Sequence, residues 1–170
     1  MKHEITSFTN WNEIDTQISN LFCWSYSKIV HSILLGEEVS FVLIAENTKE
    51  ANDIRQFDFD YILQVAEHID VYIEKAIEGI KKELEHNFAM FGIKQEQAID
   101  YLDIANNDFP VTMPAITFYP NNEMYLQFYE ADFPNVEYGL GIGVCFENDR
   151  MTSVDIPESD EDNMIEQDLV

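Results

Sequence analysis

Tyrosine and carboxylate side chains are interleaved through residues 118–138 of this 170-residue chain, a segment that includes Tyr125, Tyr129, Glu130, Asp132 and Glu137. Carboxylates pair with Lys and Arg, and the face of a tyrosine ring attracts cations. The segment therefore predicts a surface that grips basic side chains of another protein. The alternative, in which the rings fill the core and the carboxylates only solvate the surface, stays open at this point.

The residues predicted to contact a basic partner fall into two sets. The preferred set lies in the C-terminal half of the chain, and the second lies on a predicted long helix. The preferred set is Tyr125, Tyr129, Glu130, Asp132, Glu137, Glu147 and Asp149, and the second set is Asp60, Glu67 and Glu74.

Other residue types that could do chemistry lack the spacing that chemistry needs. Glu83 and His86 form a single E-x-x-H motif, whereas a carboxylate-bridged di-iron bundle needs two such motifs. Cys23 and Cys145 lie in apolar strand-like segments, which predicts buried, reduced thiols without a disulfide. We therefore expect no catalytic residue, no metal and no cofactor.

Gly139, Gly141 and Gly143 alternate along the chain. Val144 and the following CFEND segment do not continue into a phosphate-binding glycine loop, because neither a third glycine nor a helix start follows. The alternation predicts a strand with one bare face that lets a helix approach closely.

The charge of the chain is strongly one-sided, with 33 acidic and nine basic side chains and a net charge of −24. Residues 95–149 contain ten carboxylates and no Lys or Arg, and residues 95–170 carry a net −16. Such a field repels nucleic-acid phosphates and anionic lipids, and it speeds encounter with a basic protein. We expect a basic protein partner, no direct contact with nucleic acid or membrane, and a cytoplasmic location, since no secretory signal is recognisable.

The hydrophobic pattern predicts one α+β domain over residues 1–157 and an acidic, disordered tail over 158–170. A long amphipathic helix is expected at about 59–86, capped by Asp58 or Asp60, with a second short helix at 94–106. Residues 21–35 and 39–47 predict a hairpin around Gly36, and residues 10–20 a short helix or irregular lead-in. With two C-terminal hairpins, this predicts an antiparallel sheet of about five to six strands with the long helix packed on one face.

The segment PAITFYPNNEMYLQFYEADFPNVEYGLGIGVCFENDR, preceded by the long helix, resembles the acidic cytoplasmic immunity proteins of bacterial polymorphic-toxin and contact-dependent inhibition systems. The resemblance is a pattern over residues 20–157: aromatic strands, an amphipathic helix and an acidic β-rich half. It implies a non-enzymatic inhibitor that neutralises one cognate cationic toxin, often a nuclease, by direct binding. Because no motif aligns, it assigns no residue a role.

Three other functions remain open on the sequence. A nucleic-acid mimic that inhibits a host DNA-binding protein would need regularly spaced surface carboxylates. A small carboxylate-dependent enzyme would need a pocket that holds a carboxyl group of raised pKa. A general adaptor would use its charge for solubility alone. The oligomeric state is not encoded in any pattern of the sequence.

Overall fold

The structure, a computed structural model, describes residues 2–16, 20–46 and 53–159. Its α-helices are α1 (Lys2–Ile5), α2 (Phe59–Glu67), α3 (Ile69–Asn87) and α4 (Gln95–Leu102). Its strands are β1 (Trp11–Ile14), β2 (Leu21–Tyr26), β3 (Val30–Ser32), β4 (Glu37–Glu46), β5 (Val111–Tyr119), β6 (Glu123–Ala131), β7 (Ile142–Glu147) and β8 (Arg150–Asp155). The predicted tail therefore lies outside the described residues, except for Glu158 and Ser159.

The strands form one eight-stranded sheet in the order β1-β2-β4-β5-β6-β7-β8, and β3 pairs with β4 beside β2. All neighbours are antiparallel except β4 and β5, which are parallel with Phe41 opposite Ile116. The α+β class is confirmed, but the prediction of an antiparallel sheet of five to six strands is wrong. The sheet is larger and mixed because the chain between β4 and β5 passes through α2, α3 and α4 before it returns.

Two errors at the N-terminal end account for most of the missing strands. Residues 11–14 form β1 and pair with β2, with Trp11 opposite Tyr26, instead of forming a helix or an irregular lead-in. The predicted single strand over 21–35 is divided into β2 and β3, which pair with different parts of β4. Local pattern did not reveal this division, because the pairing is decided by β4.

The predicted long helix is interrupted at His68, where φ is −120° and ψ is 32°. The two resulting helices, α2 and α3, keep the predicted apolar stripe, with Ile62, Ile73 and Ile77 fully buried. Of the two predicted caps, Asp58 is the one that caps α2, by accepting hydrogen bonds from the Asp60 and Tyr61 amides, both at 3.1 Å. None of the helices in the described ranges is long and apolar enough to cross a membrane.

Alternation along the central strands divides the sheet into two faces. Phe41, Leu43, Phe118, Leu126 and Phe146 point to the helix layer and are at most 2 % exposed. Rings of the helices meet this face directly: Tyr72 lies edge-on to Phe146, with ring centroids 6.1 Å apart. Each such side chain contributes about 1.5–3 kcal/mol by leaving water.

Side chains of the opposite parity are only partly covered. Val42, Ile44, Thr117, Tyr125 and Cys145 all fall in this half-buried class, and each lies between two buried residues of its strand. Register places Thr117, Tyr125 and Cys145 side by side across β5, β6 and β7. We call this surface, formed by the second set, the open face of the sheet.

The alternating glycines do not form the predicted continuous strand. Only Gly143 lies in β7, whereas Gly139 and Gly141 have φ values of +83° and +67° in the connection before it. The close approach expected at a bare strand face exists, but it involves no helix: the Tyr125 ring covers Gly143, and the Phe128 carbonyl oxygen covers Gly141.

Alanine substitutions at Gly139 and Gly141 should separate the cost of backbone strain from the cost of steric overlap. Gly141→Ala should lower the free energy of unfolding by about 3 kcal/mol or more, because the new methyl group would overlap the Phe128 carbonyl oxygen. Gly139→Ala, with nothing within 4 Å of the added Cβ, should lose only about 1 kcal/mol from its positive φ. Urea unfolding measures both values, and equal losses would contradict the close contact between Gly141 and the Phe128 carbonyl group.

Candidate functional site

A groove of about 360 Å³ lies on the open face, where β5, β6, β7 and β8 run side by side. Its polar lining consists of two tyrosines, three carboxylates and a thiol. We call it the tyrosine–carboxylate groove, and it is lined by Tyr119, Glu123, Tyr125, Cys145, Glu147 and Asp155, together with Met124 and Phe146. It contains Tyr125 and Glu147 of the predicted contact residues.

The Tyr125 ring is fixed on the floor of this groove. Gly143, its neighbour on β7, has no side chain, and the end of the phenol occupies the space that a Cβ atom would take. The Tyr125 hydroxyl donates a long hydrogen bond of 3.4 Å to the Asp155 carboxylate on β8. Burial, followed by the charge of Asp155, raises the pKa of Tyr125 well above its usual value, so this phenol is neutral at physiological pH.

Two carboxylates face each other at the edge of the groove. Glu123 on β6 and Glu147 on β7 are directly opposite in register, on the same face as Tyr125, and both are exposed. Side chains in this relation have Cβ atoms about 4.5–5.5 Å apart, and like charges there repel. Arg150, the β8 neighbour of Glu147, is exposed and forms no ion pair with Glu147 in the described structure. The rim of the groove thus concentrates negative charge.

A second group of predicted residues lies at the far end of β6. Glu130 and Asp132 line a depression of about 340 Å³ together with Tyr138, which is 85 % exposed. Glu130 accepts a hydrogen bond of 3.3 Å from the Thr112 hydroxyl, and Tyr129 is exposed on the neighbouring position. Glu137 lies apart from them and accepts a hydrogen bond of 3.1 Å from Ser159. The preferred set is thus not brought together in one place: Tyr125 and Glu147 lie in the groove, Glu130 and Asp132 line this depression, and Glu137 lines another.

Asp149 has a structural environment that differs from its predicted role at a binding surface. Its carboxylate, in the β7–β8 turn, accepts hydrogen bonds from the Tyr72 hydroxyl at 2.5 Å and from the Gln64 amide at 3.0 Å. The Tyr61 hydroxyl is buried nearby, without a hydrogen-bond partner among the described residues. Burial, and then the charge of Asp149, raises the pKa of Tyr61 to about 12. Asp149 therefore ties the turn to α2 and α3.

The second predicted set lies on the helix layer, away from the open face. Asp60, Glu67 and Glu74 are all exposed. Glu74 borders a separate depression of about 550 Å³, in which Lys75 and Lys82 supply compensating charge. The structure therefore does not bring this set together with Tyr125 and Glu147.

Sequence reasoning missed three groove residues as contact candidates: Tyr119, Glu123 and Asp155. Tyr119 and Glu123 flank the β5–β6 turn and are opposite in register. The turn residues at 120–122 would have been enough to predict this pairing. Asp155 lies within the predicted domain, and β8 brings it opposite Gly143. In the described ranges no three His, Cys, Asp or Glu residues are placed to hold a metal ion. The groove's chemistry is that of neutral phenols beside carboxylates, which suits an organic cation.

The Tyr72 and Asp149 side chains, which share a hydrogen bond, should be energetically coupled. Tyr72→Phe and Asp149→Asn should each lower the free energy of unfolding by about 1–3 kcal/mol. The first leaves the Asp149 carboxylate without the Tyr72 donor, and the second places an amide donor opposite the Gln64 amide. The double variant should lose clearly less than the sum of the two. A double-mutant cycle from urea unfolding measures the coupling. Strict additivity would show that the hydrogen bond contributes nothing to stability.

The raised tyrosine pKa values should make the fold sensitive to alkali. Because the pKa of Tyr61 is about 12 in the folded chain against 10.0 ordinarily, its contribution to stability is present below pH 10 and is lost between pH 10 and 12. Tyr61→Phe should flatten the fall in stability across this interval, and it should not lower stability near pH 7, because the hydroxyl that it removes is buried without a partner among the described residues. Urea unfolding at fixed pH values tests this, and identical slopes for both proteins would contradict it.

Comparison of the chain with protein-family models, with curated proteins and with solved structures gave no match in any of the three. The function must therefore be inferred from the groove, the charge and the fold of this chain itself.

Proposed function

We propose that this chain is a non-enzymatic acidic binding protein that acts in the cytoplasm and neutralises a cognate cationic toxin, of which a nuclease is one example, by direct binding. The observation that carries the proposal is the tyrosine–carboxylate groove, where Glu123, Glu147 and Asp155 surround two tyrosine rings and no Lys or Arg of the described residues lines the wall. The open face of the sheet offers this groove to a partner.

The distribution of charge supports the same proposal. A net charge of −24 creates a long-range attraction for a basic protein, and the C-terminal half contributes a net −16 of it. A nuclease that binds nucleic acid presents basic groups to phosphates, and carboxylates on a folded surface compete for those groups. Glu130 and Asp132, at the far end of β6, form a second acidic patch that is separate from the groove.

The experiment measures association with the protein encoded by the gene immediately upstream, which this proposal expects to contain a toxin domain. The association rate should fall by about tenfold or more between low and high ionic strength, because steering by opposite charges is screened by salt. Glu123→Gln combined with Glu147→Gln should slow association and weaken the complex. Glu67→Gln combined with Glu74→Gln, an equal change of charge on the helix layer, should have a much smaller effect.

Two outcomes would count against the proposal. If association hardly changes with salt, the partner is not steered by charge, and if the helix-layer pair matters more than the groove pair, the open face is not the binding surface. If the bound partner is a host DNA-binding protein that DNA displaces, the chain is a nucleic-acid mimic instead.

A further inference from the structure

The tyrosine–carboxylate groove also has features that select one kind of cation. The following inference rests on the proposed function and names the partner group that would enter this groove. The groove, at about 360 Å³, is at the small end of the range for ligand pockets. A volume of this size suits one long side chain of a partner, whereas a whole helix or strand would require a larger surface.

The Tyr125 ring provides a flat platform at the floor. Because the end of its phenol occupies the place of the missing Gly143 side chain, the ring is laid over β7 instead of projecting away from the sheet. Its hydroxyl is directed to Asp155 at 3.4 Å, which leaves the ring's π surface for contact with an incoming group. Tyr119, half-buried on β5, supplies a second neutral phenol on the same wall, and burial raises its pKa as well.

The Glu123–Glu147 pair provides two acceptors at the rim. The two side chains are opposite each other on adjacent strands, so their mutual repulsion is unfavourable until a cation lies between them. A guanidinium group has five N–H donors in a planar fork and can donate to two carboxylates at once. It also stacks on aromatic rings, which a compact, strongly hydrated ammonium group does less well.

We propose that the tyrosine–carboxylate groove docks a single arginine side chain of the basic partner, with the guanidinium stacked on Tyr125 and hydrogen-bonded to Glu123 and Glu147. The carboxylates of the groove favour a cation. The Tyr125 ring together with the Glu123–Glu147 pair favours arginine over lysine. Arg150, opposite Glu147 on β8, is the chain's own competitor at the rim.

The test is a titration of the ¹⁵N-labelled full chain with N-acetyl-arginine amide, followed by amide chemical shifts. We expect saturable shifts confined to residues of β5–β8 around the groove, and an affinity at least fivefold higher than for N-acetyl-lysine amide at the same ionic strength. Glu147→Gln should weaken arginine binding several-fold, and Tyr125→Leu should reduce the preference for arginine over lysine. Arg150→Gln should strengthen binding about twofold. Glu67→Gln, the matched control on the helix layer, should leave it unchanged.

Equal affinity for the arginine and lysine probes, or shifts spread over all acidic surfaces, would overturn the arginine pocket. Glu147→Gln keeps the test valid if Tyr125→Leu does not fold, because Glu147 is exposed at the end of β7. The two proposals fail separately. If toxin association keeps its salt dependence and its sensitivity to Glu123 and Glu147 while the arginine probe shows no selectivity, only the pocket is wrong.

Discussion

The parallel pairing of β4 and β5 is the constraint on which the rest of this structure depends. Two adjacent parallel strands cannot be joined by a tight turn, so the chain between them has to leave the sheet and return over one face. That connection holds α2, α3 and α4, and it covers the face that bears Phe41, Phe118 and Phe146. The antiparallel strands that follow, β6 to β8, extend the sheet sideways without adding a helix. One face is thereby buried, and the other keeps its tyrosines and carboxylates.

Several acidic side chains in this anionic protein stabilise the fold through hydrogen bonds to neutral donors instead of ion pairs. Asp70 at the start of α3 accepts hydrogen bonds from the Ser32 hydroxyl at 2.6 Å and from the Ile33 and Leu34 amides, and so holds the β3–β4 turn. Glu37 accepts a hydrogen bond of 2.7 Å from the amide of Met113, which has a positive φ. A basic residue has an equally internal role: Lys81 donates to the Ile104 carbonyl oxygen at 2.5 Å. Charge counts alone therefore overstate how much of the surface is free to bind.

The sequence was sufficient to predict what depends on local periodicity and local capping. The apolar stripe of α2 and α3, the Asp58 cap and the β5–β6 hairpin follow from spacing within a few residues. The break at His68, the division of residues 21–35 and the parallel pair depend on contacts between residues distant in the chain, which no local pattern reports. The same distinction between local and long-range information applies to the candidate site. Tyr125 and Glu147 were recognised by composition, but their assembly with Asp155 required the register of β6, β7 and β8.

The hydrogen bonds of Asp149 to α2 and α3 have a consequence for the thermodynamics of recognition. The β7–β8 hairpin lies at one end of the sheet order, a place where strands fray most readily, and it supplies Cys145, Glu147 and Asp155 to the groove. Tyr72 and Gln64 hold the turn of this hairpin against α2 and α3. Fraying of the hairpin therefore has to break these hydrogen bonds to the helices as well as those within the sheet. The groove is consequently preorganised before any partner arrives. Less conformational entropy is then lost on association, and more of the interaction energy remains as affinity.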